Sequence, residues 1–228
     1  MSSPVSEPSN DLDDLAGFVR YMDGPGNAGD NASISRFFQK RGIQQQMIQC
    51  VLDKDENRDL IDSRYKPSEE WSVQQLLDLP SGSLGRSYAE FLEEHHFNPH
   101  FFHGVEGDGD LPYVLNRLRS THDIWHVILG FDATEAGECG MNAFTFTQCS
   151  TPTTCMLMAA KMIRSLTDSH TDRNHLLKAI SDGIHLGLVA DSFLAIQWEE
   201  NWKEPLHSLR KQLKIDQLTP AMPSPTHD

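Results

Sequence analysis

Positive charge is scarce in this chain. Nineteen Lys and Arg stand against 33 Asp and Glu in 228 residues, a formal net charge of −14. Sequence-independent binding to nucleic acid needs clustered Lys and Arg to displace counterions, so that class of partner is excluded. Long apolar runs are missing too. The longest candidates, Ile124 to Leu129 and Cys155 to Ala160, fall far short of the eighteen or so residues of a spanning helix, which implies a soluble or membrane-peripheral protein. Cysteine is sparse. Cys50, Cys139, Cys149 and Cys155 show no Cys-x-x-Cys spacing, which leaves reduced thiols in a cytosol as the expectation. The first fourteen residues hold Glu7, Asp11, Asp13 and Asp14 with no Lys or Arg, the opposite of a mitochondrial transit peptide. The expected location is a bacterial cytoplasm, at the inner face of the membrane.

Alternation of β-branched residues is also lacking, apart from a weak Ala143 to Thr147 stretch, so the fold class is read as all-α. Punctuation by Gly24-Pro25-Gly26, Gly42, Pro67 and Pro80 predicts helices over about 11–22, 33–40, 43–54 and 72–79. Longer segments follow at 83–97 and 111–131. Another helix opens at Thr151-Pro152, where proline gives up only a hydrogen that would be unpaired anyway, and a further one spans 174–196. The organisation expected is one helical bundle over 11–215 enclosing an apolar ligand cavity, between disordered tails at 1–10 and 216–228. Gly183 and Gly187, four apart, leave a flat strip on one helix face, read first as close helix packing and second as room for an acyl or prenyl chain.

What is present is a concentration of metal-competent side chains. His122, Asp123, His126 and Glu138 lie within seventeen positions. On a helix the first three fall at roughly 0°, 100° and 40°, so they can face one point. Glu138 would sit roughly 18 Å beyond His126 on a straight helix, so the chain must double back. Gly130 and Gly137 bracket that reversal, and Glu138 would enter from a loop or from the first turn of the next helix. Two histidines and two carboxylates suit Zn²⁺, Fe²⁺, Co²⁺ or Mn²⁺. The bland alternative is a helix-interface histidine oriented by Asp123.

The stretch Tyr113-Val-Leu-Asn-Arg117-Leu-Arg119, then His122-Asp-Ile-Trp-His-Val-Ile-Leu-Gly-Phe131 and Gly137-Glu138, resembles the coenzyme Q biosynthesis family typified by 4-hydroxy-3-methoxy-5-polyprenylbenzoate decarboxylase. The resemblance extends to Ser83–Leu92 upstream and to Gln197-Trp-Glu-Glu-Asn-Trp202, Pro205-Leu206, Leu209-Arg210 and Leu213 downstream, about residues 75 to 215. Carried over by position, it implies metal ligands at His122, Asp123, His126 and Glu138, with Asp123 and Glu138 also catalytic. It implies loss of the ring C1 carboxyl group from a polyprenylated hydroxybenzoate, in an oxidative form that leaves a hydroxyl. The metal expected is Zn²⁺, with Fe²⁺ or Mg²⁺ as alternatives. Further partners implied are the membrane surface, other quinone-biosynthesis enzymes and a second copy of the chain. A non-catalytic prenyl-lipid scaffold stays open as the rival reading, and an all-α metal-dependent phosphohydrolase fits the compact spacing less well.

Arg117 and Arg119 precede the motif and are candidates to hold a carboxylate or phosphate headgroup; Arg119, near 60° on the same wheel, lies within the ligand arc. Met141, Met156, Met158 and Met162 read as core, or, given the resemblance, as a lipid-facing wall. Cys139 is expected to be a buried apolar residue. His95, His96, His100 and His103 crowd a Phe-rich turn and are read as loop aromatics before a second metal site. His170, His175, His185 and His207 are scattered.

Overall fold

The computed structural model describes residues 11–24, 28–68, 70–99, 104–169 and 171–216. Eleven α-helices and one 3₁₀ turn form an all-α single domain among them, and no strand occurs there. Both expected tails, apart from Asp216, and His100, His103 and His170 lie outside the described residues.

The first five helices are short: α1 (Asp11–Asp23), α2 (Ala28–Lys40), α3 (Ile43–Leu52), α4 (Asp55–Asp62) and α5 (Val73–Leu77). Then come α6 (Leu84–Glu94), the 20-residue α7 (Asp110–Leu129), α8 (Glu135–Cys149), α9 (Pro152–Arg164), α10 (Arg173–Val189) and α11 (Leu206–Gln212), with a 3₁₀ turn at Trp198–Glu200 before α11. The segment expected as one helix over 43–54 is α3, and α4 follows after a two-residue break. α4 reads Asp-Glu-Asn-Arg-Asp-Leu-Ile-Asp, with Leu60 and Ile61 as its only apolar residues, so it carries little periodicity to read. The helix expected over 174–196 ends at Val189; Phe193 is fully buried on irregular chain beyond it. Ala143 to Thr147, the weak strand signal, is helical inside α8.

The core gathers around α7. Ile124, Trp125, Ile128 and Leu129 are all buried, and Trp125, Phe144, Phe193 and Trp198 meet edge to face in a chain with centroids 4.6–5.8 Å apart. α8 and α10 pack closely because glycine permits it. A Cβ at Gly183 would meet the Gly140 carbonyl oxygen at 2.2 Å, and one at Gly187 would meet Thr147 Cβ at 2.7 Å. The flat strip is therefore a helix–helix contact, the first of the two readings. Met141 is wholly buried, Met158 nearly so, and Met162 is exposed.

Segments far apart in sequence meet at the other side of α6. Leu84 donates its amide hydrogen to the Glu204 carbonyl at 2.9 Å, Gly85 donates to Trp202 at 2.9 Å, and Leu206 donates to Gly82 at 2.8 Å. Tyr88 stacks on Trp202 at 5.4 Å. The pieces at 83–92 and 197–206 are thus one structural unit against α7. No described helix is long and apolar enough to cross a membrane.

Candidate metal centre

His122 and His126 lie one turn apart on α7, and Glu138 lies in the first turn of α8. Gly130 ends α7 in the left-handed conformation, φ 78°, which reverses the chain where an L side chain would be strained. Thr134 caps α8, its hydroxyl accepting the Gly137 amide hydrogen at 3.2 Å, and the Asp132 carboxylate accepts from the Thr134 amide at 3.1 Å. Gly137 is needed for proximity rather than for unusual backbone freedom: a Cβ there would lie 2.0 Å from the Asp132 carbonyl oxygen. The corner delivers Glu138 to the histidines from the first turn of the next helix.

Three donor atoms converge. Nε2 of His126 is 3.2 Å from Nε2 of His122 and 3.3 Å from Oε1 of Glu138, and Nε2 of His122 is 3.6 Å from Oε2 of Glu138. Nitrogen and oxygen ligands at about 2.0–2.1 Å from a tetrahedral metal lie roughly 3.3 Å from one another, so the observed spacings suit such an ion. His126 is buried and its ring is held by one face and one edge: Phe91 stacks against it at 5.5 Å, and Nδ1 donates to the Phe131 carbonyl at 3.0 Å. That bond keeps a proton on Nδ1, so the neutral ring would present its Nε2 lone pair to an ion bound at the cluster. His122 and Glu138 are about one-third exposed, which leaves the cluster open to a ligand.

The electrostatics agree with the geometry. Burial disfavours a charged His122, but the hydrogen bond and charge of Glu138, helped by Asp123, outweigh it and hold its pKa above the ordinary 6.5. Burial opposes ionisation of Glu138 as well, and the two histidines overcome it, keeping the carboxyl well below its usual range. The carboxylate also sits in the first turn of α8, where the helix dipole favours negative charge.

Asp123 is not among the three converging side chains. It is close enough to feel both histidines, Glu138 and His95, and burial leaves its pKa raised overall. Arg117 is engaged elsewhere. It is buried, its Nη1 pairs with Glu199, and its Nη2 donates to the Ile196 carbonyl at 2.7 Å, tying α7 to the 3₁₀ turn. Its fork is thus occupied by the protein itself. Arg119 is exposed, and its side chain makes no hydrogen bond or ion pair among the described residues. Burial pushes the Cys139 thiol up to about 11, in keeping with a buried apolar role. His95 packs against Phe91 and Phe97.

Two neighbours of the cluster carried no sequence signal. Tyr21 of α1 is buried, and the Glu138 charge adds to the burial that raises its hydroxyl pKa. Lys161 of α9 is buried, and its charge acts on His122 and on Cys139. Neither stands in a recognisable spacing with the motif, and only the packing of α9 on α8, and of α1 on α9, brings them near. A cleft of about 440 Å³ lined by Ile196, Trp198, Leu209 and Leu213, with Glu56 and Asp191, shares no residue with the cluster.

Residues 27–219 match the family described as coenzyme Q (ubiquinone) biosynthesis protein Coq4. Among curated proteins, the chain is 32% identical over 151 residues to a mitochondrial ubiquinone biosynthesis protein of Sclerotinia sclerotiorum, covering 65% of this chain and 52% of the relative. It is 31% identical over 151 residues to the protein of the same name in Botryotinia fuckeliana, with 65% and 53% covered. The chain thus spans about half the length of the curated relatives it matches. A crystal structure of a Nostoc punctiforme protein named for ubiquinone biosynthesis superposes with a TM-score of 0.76 at 25% identity, over 92% of this chain and all of that one.

Proposed function

The chain belongs to the Coq4 family of coenzyme Q (ubiquinone) biosynthesis proteins, and from that premise we propose that it removes the C1 carboxyl group of a polyprenylated hydroxybenzoate at the His122–His126–Glu138 cluster. The reaction would be oxidative: the bond from the ring to the carboxyl breaks and the carbon leaves as carbon dioxide, water supplies the hydroxyl that replaces it, and dioxygen is the oxidant, leaving as hydrogen peroxide. The observation that carries this reading is the convergence of two Nε2 atoms and a carboxylate at metal-ligand spacing.

A divalent ion held there would supply Lewis-acid stabilisation of negative charge developing on the ring, and an oxidative course calls for iron(II), since zinc has no redox chemistry. Three protein donors leave a coordination position for a ligand, the pattern of catalytic rather than structural sites. His126, locked by Phe91 and Phe131, orients the site. Glu138 supplies the anionic donor from the exposed side. Asp123, with its raised pKa, is suited to exchange a proton with a ligand hydroxyl. Arg119, unpaired and exposed, is the arginine available for a headgroup.

A prenylated substrate would be collected at a membrane surface, and an apolar stripe supports that. Leu177, Ile184 and Leu188 of α10 are exposed and fall within roughly 40° of one another on the helix. The net charge of −14 opposes attachment to anionic lipid, so apolar contact must carry it. The placement at a bacterial inner-membrane face, and assembly with other quinone-pathway enzymes, are parts of the same proposal.

The test is complementation of a ubiquinone-forming cell that has lost C1 decarboxylation. Wild type should restore quinone, while Glu138→Gln and Asp123→Asn, which keep shape but remove an anionic oxygen, should fold and fail. Mass spectrometry should then find a precursor that retains its carboxyl. Full complementation by both variants would overturn catalysis at this cluster in favour of a lipid-binding scaffold.

A further inference from the structure

Arg210 reaches from α11 to the end of the helix that carries both histidines. Its Nε donates to the Ile128 carbonyl at 2.9 Å, and its Nη2 donates to the Val127 carbonyl at 3.0 Å. A helix leaves its last carbonyls without amide partners. In α7 the Gly130 amide returns to His126, and among the described residues no later amide reaches Val127 or Ile128, so the guanidinium closes the terminal turn in their place. Arg210 is half-buried and forms no ion pair among the described residues. Its rigid fork therefore holds two consecutive backbone oxygens, and its charge stands where the helix dipole favours a cation.

The clamped turn is the one on which His126 depends. His126 begins it, and Phe131, three residues past Ile128, accepts the Nδ1 hydrogen of His126 at 3.0 Å. The other support of that ring is Phe91 of α6, and the chain leading into α11 is fixed to the start of α6: Leu84 donates to Glu204, Gly85 to Trp202 and Leu206 to Gly82, at 2.8–2.9 Å. Leu209 and Leu213 of the same segment are buried, which anchors α11 in the core. Arg210 thus ties the end of α7 to a base that is already fixed to α6.

We propose that Arg210 is a positioning residue of the metal centre: by holding the Val127 and Ile128 carbonyls it fixes the Phe131 carbonyl, which orients the His126 ring. It touches neither an ion nor a ligand. The inference rests on the reading of the His122–His126–Glu138 cluster as a metal centre, but its first step, from Arg210 to the His126–Phe131 bond, is a property of the metal-free protein.

The test compares wild type, Arg210→Met, Arg210→Lys and Leu60→Ala. Leu60 is buried on α4 at the far end of α7, where the Tyr113 hydroxyl donates to its carbonyl at 3.3 Å, so Leu60→Ala lowers stability without touching the turn at Val127. In the metal-free proteins, NMR of isotope-labelled histidine reads the exchange of the His126 Nδ1 hydrogen. Zinc affinity is read by competition with a chelator, ligand geometry by the visible spectrum of the Co²⁺ protein, and stability by melting temperature. Arg210→Met should speed the exchange and weaken zinc, each about tenfold, the lower end of what the outer partners of a metal-bound histidine contribute, and it should shift the cobalt bands. Arg210→Lys, whose ammonium can hold one carbonyl, should fall between it and wild type. Leu60→Ala should melt lower yet keep wild-type zinc affinity and cobalt bands. Wild-type exchange, affinity and spectrum in Arg210→Met overturn the proposal. So does a Leu60→Ala protein that loses as much zinc affinity as Arg210→Met, or a wild type whose His126 Nδ1 hydrogen exchanges as fast as that of an exposed histidine. Should Arg210→Met fail to fold, wild-type values in Arg210→Lys overturn it. A wild type that takes up no zinc defeats the metal reading instead, and the exchange rates of the metal-free proteins then decide the role of Arg210.

Discussion

His126 gives its Nδ1 hydrogen to the carbonyl of Phe131, five residues on, at 3.0 Å. That single bond couples the end of α7 to the tautomer of the most buried residue in the cluster. The Phe131 ring packs where a Cβ on Gly140 would stand, 2.4 Å away, so the same residue also registers α8 against α7.

Gly130 sits between the two partners at φ 78°. Alanine there should cost about 1–2 kcal/mol of stability, the strain of a left-handed L residue. It should also weaken metal binding by shifting the Phe131 carbonyl. Urea unfolding and a competitive metal titration on Gly130→Ala check both; unaltered affinity would show that the Phe131 bond does not set the site.

At Gly183 two effects oppose each other. Alanine favours the helix by about 1 kcal/mol, but its Cβ would stand 2.2 Å from the backbone oxygen of Gly140, which cannot swing away. Overpacking should win, with a net loss of about 1–3 kcal/mol in denaturant unfolding. Gly24→Ala, whose Cβ would meet nothing within 4 Å, serves as the control and should be close to neutral.

These glycines show where the sequence could and could not be read. Period 3.6 and proline punctuation located α1, α5, α7 and the start of α9, because apolar faces and caps are local features. His122 and His126 were legible because one helical turn brings them together, and Glu138 because glycine marks a reversal. α4 escaped because its eight residues are mostly charged. The far end of α10 was overextended because Phe193 stays in helical phase while the chain has already left the helix. Lys161 and Tyr21 depend on how α9 packs on α8 and α1 on α9, a tertiary arrangement that no local pattern encodes. Arg117 reads like Arg119 in the sequence, and only the distant Glu199 separates their roles.

Arg117 and Glu199 form a buried pair, with side chains 5% and 8% exposed. Arg117→Ala should therefore cost about 3–5 kcal/mol by leaving the carboxylate buried and alone, whereas Arg117→Met with Glu199→Leu should recover most of that. Arg119→Ala should stay within about 0.5 kcal/mol of wild type. Chemical denaturation of the four proteins checks this; a mild Arg117→Ala would free that residue for a headgroup.

Metal binding and metal-free folding should respond to pH in opposite senses. In the metal-free protein the raised pKa of His122 contributes stability that is full below its unfolded value near 6.5 and lost as pH rises through the higher folded value. The depressed Glu138 contributes stability that is present above its unfolded value near 4.5 and lost as pH falls through the lower folded value. The cluster therefore favours the metal-free fold most between about pH 4.5 and 6.5. Protons compete with the metal at His122, so affinity should rise about tenfold per pH unit until His122 is neutral and then level off. Zinc titrations and thermal melts between about pH 5 and 8 test the two slopes; parallel trends would contradict the pairing.

The most direct measurement is metal content per chain, by elemental analysis, of wild type, His126→Ala and Glu138→Gln purified in parallel. Two Nε2 atoms and one carboxylate at 3.2–3.6 Å predict about one divalent ion per wild-type chain, near none with His126→Ala, and a marked loss with Glu138→Gln. Equal metal content in all three proteins would contradict the assignment of this cluster as the metal centre.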